Sequence, residues 1–307
     1  MKNTLLRDKA QASEDARTTG LGRQISRREA INLLGGVAGA ALVIGCGAGT
    51  EQLVETDSSS SSSGSSSSGG STSSSSGGST TGSCTQVAEE TNGPFPSDGS
   101  NTNNGVLKNC LTDSRVIRRD IRSDFDGSNT QAGTALTLTM NLLNSNGSCG
   151  VLSGYYVYIW HCSAAGSYSQ YSGNMNGGNY ADRTWLRGVQ VTDSNGQVTF
   201  TTIFPGRYSG RATHIHFEVY PASAGVGTSA HQKSQVIATS QLAFPDSVTN
   251  GSGSPYTNTT LYPSSATNNT TNANDGIFSD GTSTEMLTIS GDNSSGYTAS
   301  ITVAVAA

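Results

Sequence analysis

The sequence predicts an all-β fold, an antiparallel β-sandwich with long loops, and three features of its later two thirds carry that expectation. Short runs of alternating or β-branched residues recur, clusters of Gly, Asn, Asp and Ser divide them, and no helical period persists. Seven runs read as strands: 135–143, 155–162, 197–204, 213–220, 235–244, 285–290 and 297–305. The first alternates Leu136, Leu138 and Met140 with Thr and Asn, as a half-buried strand does. The second, from Tyr155 to Cys162, is built from Tyr, Val, Ile and Trp, which fit a pleated surface. Those at 197–204 and 213–220 again alternate, with Phe200 and Phe217 on the apolar phase. The last three are shorter or richer in Thr and Ala, and 297–305 ends in Val303-Ala304-Val305. Seven strands of this size bury their apolar faces most simply as two stacked sheets. The Asn/Thr/Ser-rich stretch 250–274 reads as a long surface loop.

Ahead of this domain the composition changes twice. Arg27 and Arg28 precede an apolar run from Ile31 to Gly45 that is too short to span a bilayer, for which about 20 residues are needed. The run ends in Val43-Ile44-Gly45-Cys46, similar to a bacterial lipoprotein processing site, with Cys46 the expected point of lipid attachment. Ser26-Arg27-Arg28 also resembles a twin-arginine (Tat) signal, although Glu29 and Ala30 replace the usual apolar residues, so the Tat and Sec routes both stay open. From Ser58 to Ser83 the chain is almost wholly Ser, Gly and Thr, a composition that cannot bury apolar surface. A coil of that length spans about 28 Å on average, enough to hold a domain off a membrane. The expected organisation is an export signal over 1–46, a disordered linker over 47–83 and one domain over 84–307, on a protein tethered outside the cytoplasm through Cys46.

Charge narrows the function. Seven of the 17 basic residues precede position 30, and beyond Cys46 ten face 18 acidic residues, a net of about −8. Nucleic-acid binding is disfavoured. Export permits disulfides among Cys84, Cys110, Cys149 and Cys162. Cys149 and Cys162 bracket one extended segment and lie too far apart to pair. Two bridges, each joining one of these to Cys84 or Cys110, and a single bridge with free buried cysteine are both compatible with the sequence.

The chemistry-bearing pattern starts at His214-Ile215-His216, inside an alternating strand that places both imidazoles on one face. Pro205-Gly206-Arg207-Tyr208 makes a turn able to bring Tyr208 beside them, and Arg211 lies between. Tyr168 follows the strand ending at Cys162. Each of these alone is more often structural than functional: a two-histidine strand face, a turn tyrosine, a surface arginine.

Together they resemble one family. Trp160-His161-Cys162-Ser163-Ala164-Ala165-Gly166-Ser167-Tyr168, then Phe204-Pro205-Gly206-Arg207-Tyr208, then Gly210-Arg211-Ala212-Thr213-His214-Ile215-His216-Phe217 are similar to the intradiol ring-cleavage dioxygenases. Glu90-Thr91-Asn92-Gly93-Pro94-Phe95 and Thr239-Ser240-Gln241-Leu242-Ala243-Phe244 extend the likeness in the same order. The resemblance implies that Tyr168, Tyr208, His214 and His216 bind Fe(3+), a hard cation that favours phenolate oxygen and lowers the tyrosine pKa from about 10. It implies a catechol-like substrate that reacts with O2 and opens to a muconate-type dicarboxylate. Tyr208, the ligand displaced by substrate in the family, would be the base, Arg211 would stabilise developing negative charge, and Gln241 would lie near the substrate. The span from Tyr208 to His214 is shorter than in the classical members, and the helical N-terminal region of the catechol group is absent, so ring substituents and oligomeric state do not transfer. A non-enzymatic β-sandwich binding module on a lipoprotein tether is the rival reading, which the colour of the iron-loaded protein would distinguish.

Overall fold

The computed structural model describes residues 84–146, 148–208, 210–265 and 267–307. The expected export signal, the lipid on Cys46 and the 47–83 linker lie outside these residues. Within them the strands are β1 (Asp98–Asn103), β2 (Val106–Asn109), β3 (Ala135–Asn144), β4 (Gly150–Val151), β5 (Tyr156–Trp160), β6 (Ser172–Gly173) and β7 (Gly178–Asn179). They continue with β8 (Arg187–Val191), β9 (Gln197–Ile203), β10 (His214–Tyr220), β11 (Ala238–Ala243), β12 (Thr288–Asp292) and β13 (Gly296–Val305). One short helix, α1 (Asp246–Thr249), and several single 3-10 turns accompany them. Among the described residues no helix is long and apolar enough to cross a membrane.

Two sheets stack as a sandwich. One runs β12-β13-β3, with β9 and the short β4 on the far edge of β3, and the other runs β11-β10-β5-β8. Pairing is antiparallel except between β13 and β3, which run parallel. The shared core joins Leu136, Leu138 and Met140 of β3 and Phe200 of β9 to Val157 and Ile159 of β5 and Ile215, Phe217 and Val219 of β10. Their alternation along each strand is the reason for the layered form: every second side chain leaves water, at about 25 cal/mol per Å² of apolar area removed.

β10 is buried on both faces, because loops cover the side away from the sandwich core. That second face carries His214, His216, Glu218 and Tyr220, one every two residues, with Tyr158 and Trp160 beside them on β5. A separate apolar cluster of Phe95, Leu111, Val116, Tyr158, Trp160, Tyr168 and Tyr171 roofs it. The polar phase of an alternating strand is thereby enclosed, and the site lies there.

The seven expected strands are present, most of them trimmed by one to three residues at an end. Six strands escaped the pattern: β1, β2, β4, β6, β7 and β8. β8 begins Arg187-Gly188, a charge and a glycine that hide a strand, and the β1–β2 hairpin is written largely in Asp, Gly, Ser and Asn. The expectation of a surface loop over 250–274 is corrected. Tyr256, Tyr262, Ser254, Ser265 and Asn272 are buried, and the segment wraps the turn between β9 and β10. Cys84 bridges Cys149, with Cα atoms 5.7 Å apart, and Cys110 and Cys162 are buried free thiols, so the single-bridge alternative holds.

Candidate metal centre

The structure brings His214, His216, Tyr168 and Tyr208 together. The two histidines project side by side from β10, their Nε2 atoms 3.2 Å apart. Nδ1 of His214 lies 2.7 Å from the Ala212 carbonyl, which can only accept, so the ring proton sits on Nδ1 and Nε2 carries a lone pair. The Tyr168 phenol oxygen is 3.3 Å from that nitrogen. Tyr208 closes the fourth side, its ring centroid 5.7 Å from that of Tyr168 and 6.3 Å from that of His214. Trp160 stacks flat on His216 at 4.8 Å and fixes its plane.

Burial pulls both imidazoles well below the ordinary histidine range, and nearby cations add to this, so both are neutral. Burial also raises the Tyr168 phenol well above its ordinary value. Tyr208 is raised by burial too, while the charge of Arg211 and a hydrogen bond from it pull it back. Neutral nitrogens and phenols crowded in an apolar pocket are a donor set that a hard cation would complete, since binding it converts phenol to phenolate. Among the described residues no group of three His, Cys, Asp or Glu could hold a metal, so the phenols are needed to extend the imidazole pair to four donors.

Two turns deliver the tyrosines, and they pack face to face. A Cβ on Gly166, in the Tyr168 loop, would lie 2.6 Å from the Arg207 carbonyl oxygen. A Cβ on Gly206, in the Tyr208 turn, would lie 2.5 Å from the carbonyl oxygens of Ser163 and Ala164. Only glycine permits either approach. The contact is tied by Gly206 N donating to Ser163 O at 3.2 Å, and by the Cys162 thiol donating to Gly206 O at 3.2 Å.

Arg211 is only 12% exposed and donates through Nε to both carboxylate oxygens of Asp275, at 2.8 and 2.9 Å. Its NH2 group donates to Oε1 of Gln241 at 2.7 Å, and Nε2 of Gln241 donates to the Thr91 carbonyl at 2.7 Å. The β10–β11 register places Gln241 opposite His216, so strand pairing positions the amide. Pro94 and Phe95 follow directly, and Phe95 packs at 5.0 Å from Tyr168 and 6.0 Å from Tyr208 as an apolar wall.

Sequence reasoning missed three residues here. Asp275 lies in an Asn/Asp-rich stretch far along the chain, and nothing local marks it as the partner of Arg211. Asn176 braces Tyr168 on both sides, its Oδ1 accepting from Tyr168 N at 2.7 Å and its Nδ2 donating to Tyr168 O at 2.8 Å. Arg187 is 1% exposed and donates to Ser169 O and Oγ, Phe95 O, Pro96 O and the Tyr158 hydroxyl, all within 2.8 to 2.9 Å. It welds the Phe95 wall to the Tyr168 loop. A Leu-Arg-Gly triplet in sequence gives no hint of a buried cation.

Comparison with known proteins agrees with this architecture. The family model Dioxygenase_C, described as dioxygenase, matches residues 112–249. An intradiol ring-cleavage dioxygenase from Tetranychus urticae is 26% identical, with a TM-score of 0.51 over 72% of this chain and 95% of that one. A second dioxygenase crystal structure is 27% identical, with a TM-score of 0.52 over 72% of this chain and 94% of that one. No curated protein matches the chain significantly. The chain thus resembles the intradiol ring-cleavage dioxygenases, in sequence over residues 112–249 and in fold over most of its described residues.

Proposed function

We propose that this protein is a non-haem iron(III) enzyme that cleaves a catechol-type ring between its two hydroxyl-bearing carbons, using O2 to form a muconate-type dicarboxylate. One observation carries the reading: two buried imidazoles and a buried phenol meet within hydrogen-bond distance, and a second phenol faces them. Tyr168, Tyr208, His214 and His216 would hold the ion, which when bound would make the catechol acidic and activate its ring toward O2. Both oxygen atoms enter the product, one in each new carboxylate, so no external reductant is required.

The side chains divide the remaining work. Tyr168 and the imidazoles, wedged by Asn176, Trp160 and the Ala212 carbonyl, would stay in place. Tyr208, half-buried on its turn, would take a proton from a substrate hydroxyl at its phenolate oxygen. Arg211, aimed by Asp275 and Gln241, would supply fixed positive charge beside the ring, where negative charge builds up in a water-poor pocket. Phe95 would cover the aromatic face and exclude water.

Incubation of the iron-loaded protein with a panel of catechols under isotopically labelled O2 tests the reading, with product masses read directly. Label in both carboxylates of a ring-opened product is the expected result; no product from any catechol would refute it. We further propose export, with membrane attachment through a lipid on Cys46. Cys46→Ala is expected to move the protein out of the membrane fraction, and unchanged fractionation would remove that part of the proposal.

A further inference from the structure

We infer that the segment 250–275 is a positioning device for Tyr208, with Asn268 as its decisive contact. The inference rests on reading Tyr208 as iron ligand and base. The turn that carries Tyr208 makes little structure of its own: Arg211 N donates to Tyr208 O at 3.1 Å across it. Beyond its contact with the Tyr168 loop and a hydrogen bond from Arg207 Nε to Thr213 Oγ1, its support comes from the distant segment.

That support is continuous along the turn. Tyr256 Oη donates to Pro205 O at 2.8 Å, and Ser265 Oγ accepts from Arg207 N at 2.6 Å. Ser264 Oγ reaches Ala165 O at 2.9 Å and Arg207 O at 3.1 Å, which links the turn to the Tyr168 loop. The Arg207 guanidinium, itself buried, donates to Asn250 Oδ1 and Asn268 O and lies 4.6 Å over the Tyr256 ring. Asp275 then holds Arg211 and Ala212 N.

Asn268 is the contact that touches Tyr208 itself. Its Nδ2 is shared between Tyr208 O at 3.4 Å and Arg211 O at 3.1 Å. Its Oδ1 accepts from Thr270 N at 3.1 Å and Thr270 Oγ1 at 2.7 Å, which fixes the amide orientation and leaves only the donor end for the turn. One half-buried amide thus spans the two residues that would act as base and as charge stabiliser. Because carbonyls at both ends of the turn share one donor, loss of that donor loosens the backbone at Tyr208 and Arg211 together, while Asp275 and Gln241 still hold the Arg211 side chain.

Asn268→Asp isolates this role. The carboxylate keeps the Oδ1 partner of Thr270 but turns a second oxygen toward two carbonyls, so attraction becomes repulsion with almost no change of volume. In iron-loaded full-length protein the variant is expected to lose about tenfold in kcat with KM within about twofold. Its phenolate-to-iron absorption band is expected to move in the substrate-free form and to coincide with wild type once a catechol has displaced Tyr208. Ser264→Ala, which releases Ala165 O and Arg207 O instead, is expected to shift both readouts in the same sense and by less. Wild-type kcat and an unmoved band in Asn268→Asp would overturn the inference, as would an equal band shift with and without catechol. A wild-type protein lacking any such band would refute the proposed iron site itself, a different result from a coloured wild type with an indifferent variant.

Discussion

The two tyrosine-bearing regions use the same device, an asparagine side chain gripping the tyrosine backbone, at two different tightnesses. Asn176 is 1% exposed and clamps Tyr168 through both its amide nitrogen and its carbonyl, and Arg187 secures the next residue with two further hydrogen bonds. Tyr168 itself is buried, between Phe95 and the imidazoles. Asn268 is half-buried and reaches only the carbonyl of Tyr208, at a distance where a hydrogen bond is weak. Tyr208 is half-buried, and Gly210 two residues on adopts φ +76°. On the proposed reading one phenol remains and the other moves, and the difference is carried by hydrogen bonds rather than by the ring positions.

The comparison breaks most sharply if the two phenols are exchanged for Phe. Tyr168→Phe and His214→Ala are each expected to lose the metal and with it about a thousandfold or more in activity. Tyr208→Phe should retain iron and slow turnover by about a hundredfold, the scale of a lost general base. Metal analysis beside steady-state kinetics separates these outcomes; equal iron loss in both tyrosine variants would erase the asymmetry.

Arg187→Met removes a buried cation whose hydrogen bonds satisfy three carbonyls and two hydroxyls. Each acceptor left dry costs about 1 to 3 kcal/mol, so a loss of about 3 kcal/mol or more is expected in denaturant unfolding. Arg187→Lys should recover only part of it, because a point charge cannot reproduce the fork. A near-wild-type Met variant would show that the Phe95 wall and the Tyr168 loop hold without their weld.

The smallest effect concerns the far end of the same strand face. Glu218 is buried between Lys233 and Tyr220, and Asp98, just beyond the Phe95 wall, shares Lys233. Burial and then the Asp98 charge raise Glu218 from 4.5 to about 7. An acid raised on folding contributes stability that is complete below 4.5 and is lost as pH rises through about 7. The Tm of Glu218→Gln, relative to wild type, is therefore expected to improve between about pH 5 and pH 8. A flat difference over that range would show that Lys233 holds Glu218 ionised throughout.

Much of this was readable in the residues themselves. His214 and His216 share a face because a strand has period two, and the buried Ile215 and Phe217 guarantee which face it is. The glycine-bearing turns around Tyr168 and Tyr208 were visible as motifs, although not the reason for their glycines, which is contact between the turns. What stayed hidden is long-range. Asp275 and Gln241 approach Arg211 from positions 64 and 30 residues away, and composition gives no register for such meetings. The polar stretch 250–274 reads as surface because Asn, Thr and Ser dominate it. Tyr256 and Tyr262 were the one signal that part of it is buried, and each sends its hydroxyl back to the chain around the turn.

Resonance Raman scattering excited in the phenolate-to-iron band tests most directly whether four side chains converge on one cation. The iron-loaded wild type is expected to give two overlapping sets of tyrosinate modes, one lost in Tyr168→Phe and the other in Tyr208→Phe at whatever iron each retains. A spectrum without tyrosinate modes, or one unchanged by both substitutions, would contradict the site.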